Sequence, residues 1–150
     1  AKAGCSTQPI FRVYKNMDEL WRAVYDKAAV YFRNYCRSFP KTGKKPFFNL
    51  GMAYISFARE ESRLFELLFV SEGSYKKGMY ELLNGPENNV VHEIALAKAA
   101  GCAEAGELFT NMWFVIHGAA CMTMTGDCDL TDKQTMELLE RLYVAFAPVH

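Results

Sequence analysis

Apolar residues recur at three- and four-residue spacing along most of this 150-residue chain, and no alternating run of strand length closed by a hairpin turn stands out. From Met17 to Ser38, Leu20, Val24, Ala28, Tyr31 and Tyr35 fall at helical spacing. Asn16 suits the N-cap of that helix, with Glu19 at the capping-box position, and Phe39-Pro40 with the "KTGKKP" segment ends it. Ser6 to Tyr14 reads as a short preceding helix, capped by Ser6 or Thr7 and holding Pro9 in its first turn. "FFNLGMAYISFAREE" predicts a helix with Phe47, Leu50, Tyr54 and Phe57 along one side, and "SRLFELLF" continues after a kink or short break.

"SEGSYKKG" is a loop. Met79 to Leu83 is a short helical piece stopped by Asn84-Gly85-Pro86. Asn88 or Asn89 starts a helix ending near Gly101, and a long apolar helix runs from Ala103 to Met124, where Gly126 stops it. Thr131 and Gln134 form a capping box for the last helix. There, Met136, Leu139, Tyr143 and Phe146 make one stripe and Leu138 with Leu142 an adjacent one. Two stripes are more apolar surface than one neighbour covers, so a second copy of the chain is the expected partner, with a helix sunk deep in its own core as the alternative. The pattern predicts an all-α fold without internal repeats.

Composition narrows the class. With 51% hydrophobic residues, the chain is expected to fold around a real core. No apolar run is long enough to span a bilayer and no signal segment opens the chain, which predicts a cytoplasmic location without membrane contact. The first residue is not Met, which suggests a processed or truncated chain. The five cysteines are odd in number, lack a C-x-x-C pair, and are expected to be reduced. His117 and Cys121, one turn apart, are the nearest approach to a metal site, and two soft ligands do not make one. G-x-S-x-G, H-E-x-x-H and a Gly-rich phosphate loop are all missing, so neither catalysis nor a cofactor is expected. A small helical-bundle enzyme or ligand carrier is the alternative class.

The net charge of zero hides an asymmetry: residues 1–45 carry ten Lys/Arg against three Asp/Glu, and the remainder carries the opposite excess. Such a split suits an N-terminal end that meets a polyanion.

Three patches carry a family resemblance. "GCSTQPIFRVYKNMDEL", Gly4 to Leu20, resembles the G-V-S-x-x-x-(L/I)-Y-x-x-F-x-(N/S)-K-(D/E)-x-L segment of TetR-family bacterial transcription regulators. Phe11 stands where that family usually has Tyr, Tyr14 where it has Phe, and Met17 where it has Lys. Leu50 to Phe69 resembles the family's graYxxFAxexPxLfrLmF segment. "MWFVIHGAACM", Met112 to Met122, resembles the W-x-x-x-H-G pattern of one C-terminal subgroup, through Trp113, His117 and Gly118.

The resemblance implies a TetR-like helical bundle. Residues 1–16 would be a partial helix-turn-helix, whose first helix and most of its second are absent from this chain. Residues 17–150 would be the ligand-binding and dimerisation domain. It further implies a ligand-responsive regulator, a repressor by preference, that binds operator DNA as a homodimer and is released by a small hydrophobic effector. Ser6, Thr7 and Gln8 would read base edges, Arg12 and Lys15 would supply charge to the backbone, and Phe11, without the hydroxyl of the usual Tyr, would lose or weaken a phosphate contact at the same interface. Tyr54, Phe57, Phe109, Met112, Trp113 and His117 would line an apolar effector pocket, and Leu139, Tyr143 and Phe146 would form the dimer seam.

Overall fold

The computed structural model describes residues 8–73 and 75–147. Among them it is all-α: eight α-helices, one π-helical turn and no strand. The helices are α1 (Gln8–Val13), α2 (Met17–Ser38), α3 (Phe48–Glu60), α4 (Ser62–Phe65), α5 (Met79–Asn84), α6 (Asn89–Ala99), α7 (Ala105–Thr125) and α8 (Asp132–Phe146), with the π turn at Glu66–Val70.

The central element is α3. Every residue from Leu50 to Ala58 is buried, because this uncharged stretch is enclosed by α7, α8 and α2. The expected single apolar side of this helix is therefore a buried cylinder. Gly51 lets α8 approach closely, and Arg59 braces the far end of α3. Its guanidinium donates to Asp129 at 2.6 Å and to the Leu130 carbonyl, both in the turn between α7 and α8.

Local signals set the helix ends. Asn16 Oδ1 accepts from the Glu19 N–H at 2.9 Å, while the Glu19 carboxylate reaches the Lys15 N–H, one residue beyond the expected box partner. Thr131 and Gln134 form the reciprocal box. At Gly126, φ of +80° stops α7. The cap of α6 comes from further back than Asn88: Asn84 Oδ1 accepts from the N–H groups of Val90 and Val91.

The buried face of α2 differs from the expected one. Tyr25, Ala28, Ala29, Phe32 and Cys36 point inward, while Val24 and Tyr31 are 38% and 46% exposed. The two alanines bring α2 close to its neighbours, and Tyr31 stays at the rim so that its hydroxyl can donate to Glu61 at 2.6 Å. The expected break after α3 falls at Glu61, and the segment beyond it runs through α4 into a π turn in which the Ser71 N–H donates to Glu66 O at 2.8 Å, five residues back. That segment turns Phe65 and Leu68 fully into the core, with Phe69 packed against it.

Candidate functional site

The middle of α7 meets the middle of α3 at Tyr54 and His117, sixty-three residues apart, with the Tyr54 hydroxyl 2.8 Å from His117 Nδ1. The other ring nitrogen faces Cys121 Sγ at 3.5 Å, one turn further along α7. Among the described residues the Tyr54 hydroxyl has no other acceptor, so the arrangement that satisfies every group has Tyr54 donating to Nδ1 and Nε2–H directed at the sulfur. Burial holds the His117 pKa below its ordinary 6.5, and the Lys76 ammonium pushes the same way. Burial raises the Tyr54 and Cys121 values. All three groups are thus kept neutral near pH 7.

Aromatic rings surround this pair. Tyr54 makes edge contacts with Phe65, Phe69, Phe32 and Trp113 at centroid distances of 5.1, 4.9, 6.2 and 5.1 Å. Trp113 stacks on Phe109 at 5.2 Å, and Phe109 meets Phe47. One polar atom inside is unmatched: Trp113 Nε1 is buried and has no acceptor among the described residues. Native proteins rarely leave a buried donor orphaned. The loop after the π turn covers this region. The Lys77 N–H in it donates to Tyr25 Oη on α2 at 2.9 Å, and Lys76 Nζ donates to the Ser71 carbonyl.

Of the residues expected to line a pocket, Tyr54, Phe57, Met112 and Trp113 are wholly or almost wholly buried, Phe109 is 7% exposed and His117 is half-buried. Tyr54, Phe109, Trp113 and His117 are brought together through ring contacts, and Phe57 meets Phe32 of α2. The rings of Tyr54, Phe109 and Trp113 pack against one another, and five clefts in the surface are lined by none of the six. Sequence reasoning does not single out Phe32, Phe65, Phe69 or Lys76. The four-residue interval between Phe65 and Phe69 is the available signal, and the π turn alters the helical phase on which it is read.

Gln8, Phe11, Arg12 and Lys15 are exposed on α1 and in the turn after it, while Ser6 and Thr7 lie outside the described residues. The seam expectation needs a correction at Leu139. It is 0% exposed because it packs on Gly51 of α3, so it belongs to this chain's own core. Tyr143 is half-buried on Phe48, under the Lys45 ammonium, and Phe146 is 38% exposed. The described cysteines, Cys36, Cys102, Cys121 and Cys128, carry no disulfide, and no group of three potential metal ligands occurs among the described residues. No described helix is long and apolar enough to cross a membrane.

Comparison with known families places residues 47–146 in a match to the family described as "Tetracyclin repressor-like, C-terminal domain". No curated protein and no solved structure matches the chain significantly. The matched stretch runs from the start of α3 to the end of α8 and contains Tyr54, the π turn, Trp113 and His117.

Proposed function

Because this chain belongs to the family of tetracyclin repressor-like C-terminal domains, we propose that it is the ligand-sensing part of a TetR-type transcription regulator of the W-x-x-x-H-G subgroup. Residues 17–150 are the ligand-binding and dimerisation unit. Residues 1–16 belong to a DNA-binding head, in which Ser6, Thr7 and Gln8 face bases, Arg12 and Lys15 supply charge to phosphates, and Phe11 stands where a Tyr hydroxyl would reach one. The regulator is cytoplasmic, acts as a homodimer and represses until a small hydrophobic effector binds.

The observation that carries the sensing role is the unpaired Trp113 indole N–H, buried among aromatic rings beside the Tyr54–His117 pair. An apolar molecule with one hydrogen-bond acceptor satisfies that donor and inserts where rings now touch. Insertion there bears on α2, since Phe32 of α2 edges Tyr54, Phe57 and Phe69 at 6.2, 5.0 and 5.1 Å. A ligand releases DNA only if it binds the non-operator arrangement more tightly, and α2 is the element through which the difference reaches the head.

Trp113→Phe keeps a ring and deletes the N–H. In a thermal-shift screen of lipophilic compounds, hits bearing an acceptor should stabilise the parent protein and lose most of that effect in the variant. A screen that returns only phosphorylated or highly charged hits, or hits indifferent to Trp113→Phe, counts against this reading.

A further inference from the structure

Away from the aromatic cluster, a cleft of about 240 Å3 opens between the second half of α2, the loop after it, α3 and the start of α6. Arg33, Arg37 and Lys41 line it, opposed by Glu87 and Glu93. Most of these charges are already engaged. Arg37 Nη2 donates to Glu87 Oε1 at 2.6 Å, Lys41 Nζ donates to the Cys36 carbonyl at 2.6 Å, and Glu93 Oε2 accepts the Phe47 backbone N–H at 2.6 Å. Arg33 is the exception, with neither an ion pair nor a hydrogen-bond acceptor among the described residues.

The fold places Arg33 at this edge. Its aliphatic stem runs past Gly85, where an added Cβ would stand 3.1 Å from Arg33 Cδ, and where φ of +58° favours glycine. The floor between the charges is apolar, made by Leu50 and by the Cys36 thiol, whose pKa burial pushes up to about 12 so that it stays neutral. The volume is below the roughly 300–1,000 Å3 of pockets for drug-sized molecules, which restricts the cleft to a small ligand.

We propose that this cleft binds a small monocarboxylic acid, with its carboxylate on the Arg33 guanidinium and its short aliphatic body on Leu50 and Cys36. A guanidinium fork matches a carboxylate in two-point fashion. The two glutamates beside it leave the wall with a small positive excess, which suits one negative charge and repels two. The site is independent of the effector reading, because none of the residues around Trp113 and His117 lines it.

The test uses the whole chain with sodium hexanoate as probe, followed by methyl and indole N–H NMR and thermal shift. Hexanoate should raise the melting temperature and move the Leu50 methyl signals. Arg33→Met keeps the stem on Gly85 and should weaken hexanoate binding by roughly tenfold or more. Arg33→Lys, which keeps the charge without the fork, should recover part of it. Unmoved Leu50 methyls overturn the proposal, as does undiminished binding by Arg33→Met. Movement centred on the Trp113 indole N–H signal rather than Leu50 would place the ligand in the aromatic core and also overturn it. So would tighter binding of succinate or inorganic phosphate than of hexanoate.

Discussion

Leu139 of α8 lies directly on Gly51 of α3: a Cβ added to Gly51 would stand 3.1 Å from Leu139 Cδ2 and 3.2 Å from Ile116 Cδ1. The contact holds three helices together at a point where any added side chain must push Leu139 and Ile116 aside. Leu139→Ala should therefore cost about 2–5 kcal/mol in chemical denaturation. Gly51→Val should cost about 1–3 kcal/mol through overpacking. If Leu139 instead belonged to a seam between copies, its replacement would change sedimentation more than stability.

The surface left for such a seam is elsewhere on the same two helices. Phe114 and Val144 are 72% and 65% exposed, with Met122 and Val115 partly so. Gly118 lies between Phe114 and Met122, four residues from each, and an added Cβ there would meet nothing within 4 Å. A patch of this kind on α7 and α8 fits a two-fold, four-helix contact with a second copy. Phe114→Glu combined with Val144→Glu should convert a dimer to a monomer in sedimentation at micromolar concentration, with the melting transition retained. A parent protein that sediments as a monomer at every concentration would remove the basis for this prediction.

The Tyr54–His117 pair makes stability depend on pH. His117 titrates below 6.5 in the folded chain, so the unfolded chain binds more protons in the interval beneath that value. The contribution of neutral His117 is complete above about pH 6.5 and is lost as the pH falls through the folded value. Protonation at Nδ1 also deprives the Tyr54 hydroxyl of its acceptor, and Lys76 adds repulsion. The melting temperature should fall more between pH 7.5 and pH 5 in the parent than in His117→Phe. Equal slopes for the two would show that His117 does not titrate in this way.

Glu93 holds Phe47 in an unusual backbone state. Phe47 has φ of +70°, a left-handed conformation that side chains of its size seldom adopt, and it is fully buried. Its N–H is satisfied by Glu93 Oε2 at 2.6 Å. Glu93→Ala leaves that N–H without its partner and should cost about 1–3 kcal/mol in urea unfolding, while Glu93→Gln, which keeps an acceptor, should cost less.

Most helices of this fold are legible in the amino-acid sequence because their signals are local. The span of α2 follows from Asn16, Pro40 and apolar spacing. The start of α8 follows from Thr131 with Gln134, and the end of α7 from Gly126. Each is a matter of backbone groups satisfied within a few residues of their own position. The α7 part of the candidate site is also legible, since Phe109, Trp113 and His117 share a face through four-residue spacing, whereas Phe32, Phe65 and Phe69 are not.

What depends on tertiary structure is which apolar surface meets which. Val24 and Tyr31 turn outward and Phe32 inward, because the face of α2 that packs on its neighbours is the one carrying Tyr25, Ala28, Ala29, Phe32 and Cys36. Leu139 goes to the core rather than a seam, because a glycine eighty-eight positions earlier happens to face it. The cleft with Arg33 gathers residues from four separate segments, and no spacing along the chain announces it. Short-range hydrogen bonding and periodicity along the chain specify the helices, most of their ends and the family likeness. The tertiary structure decided burial, partners and cavities, because these depend on close packing between segments far apart in the chain.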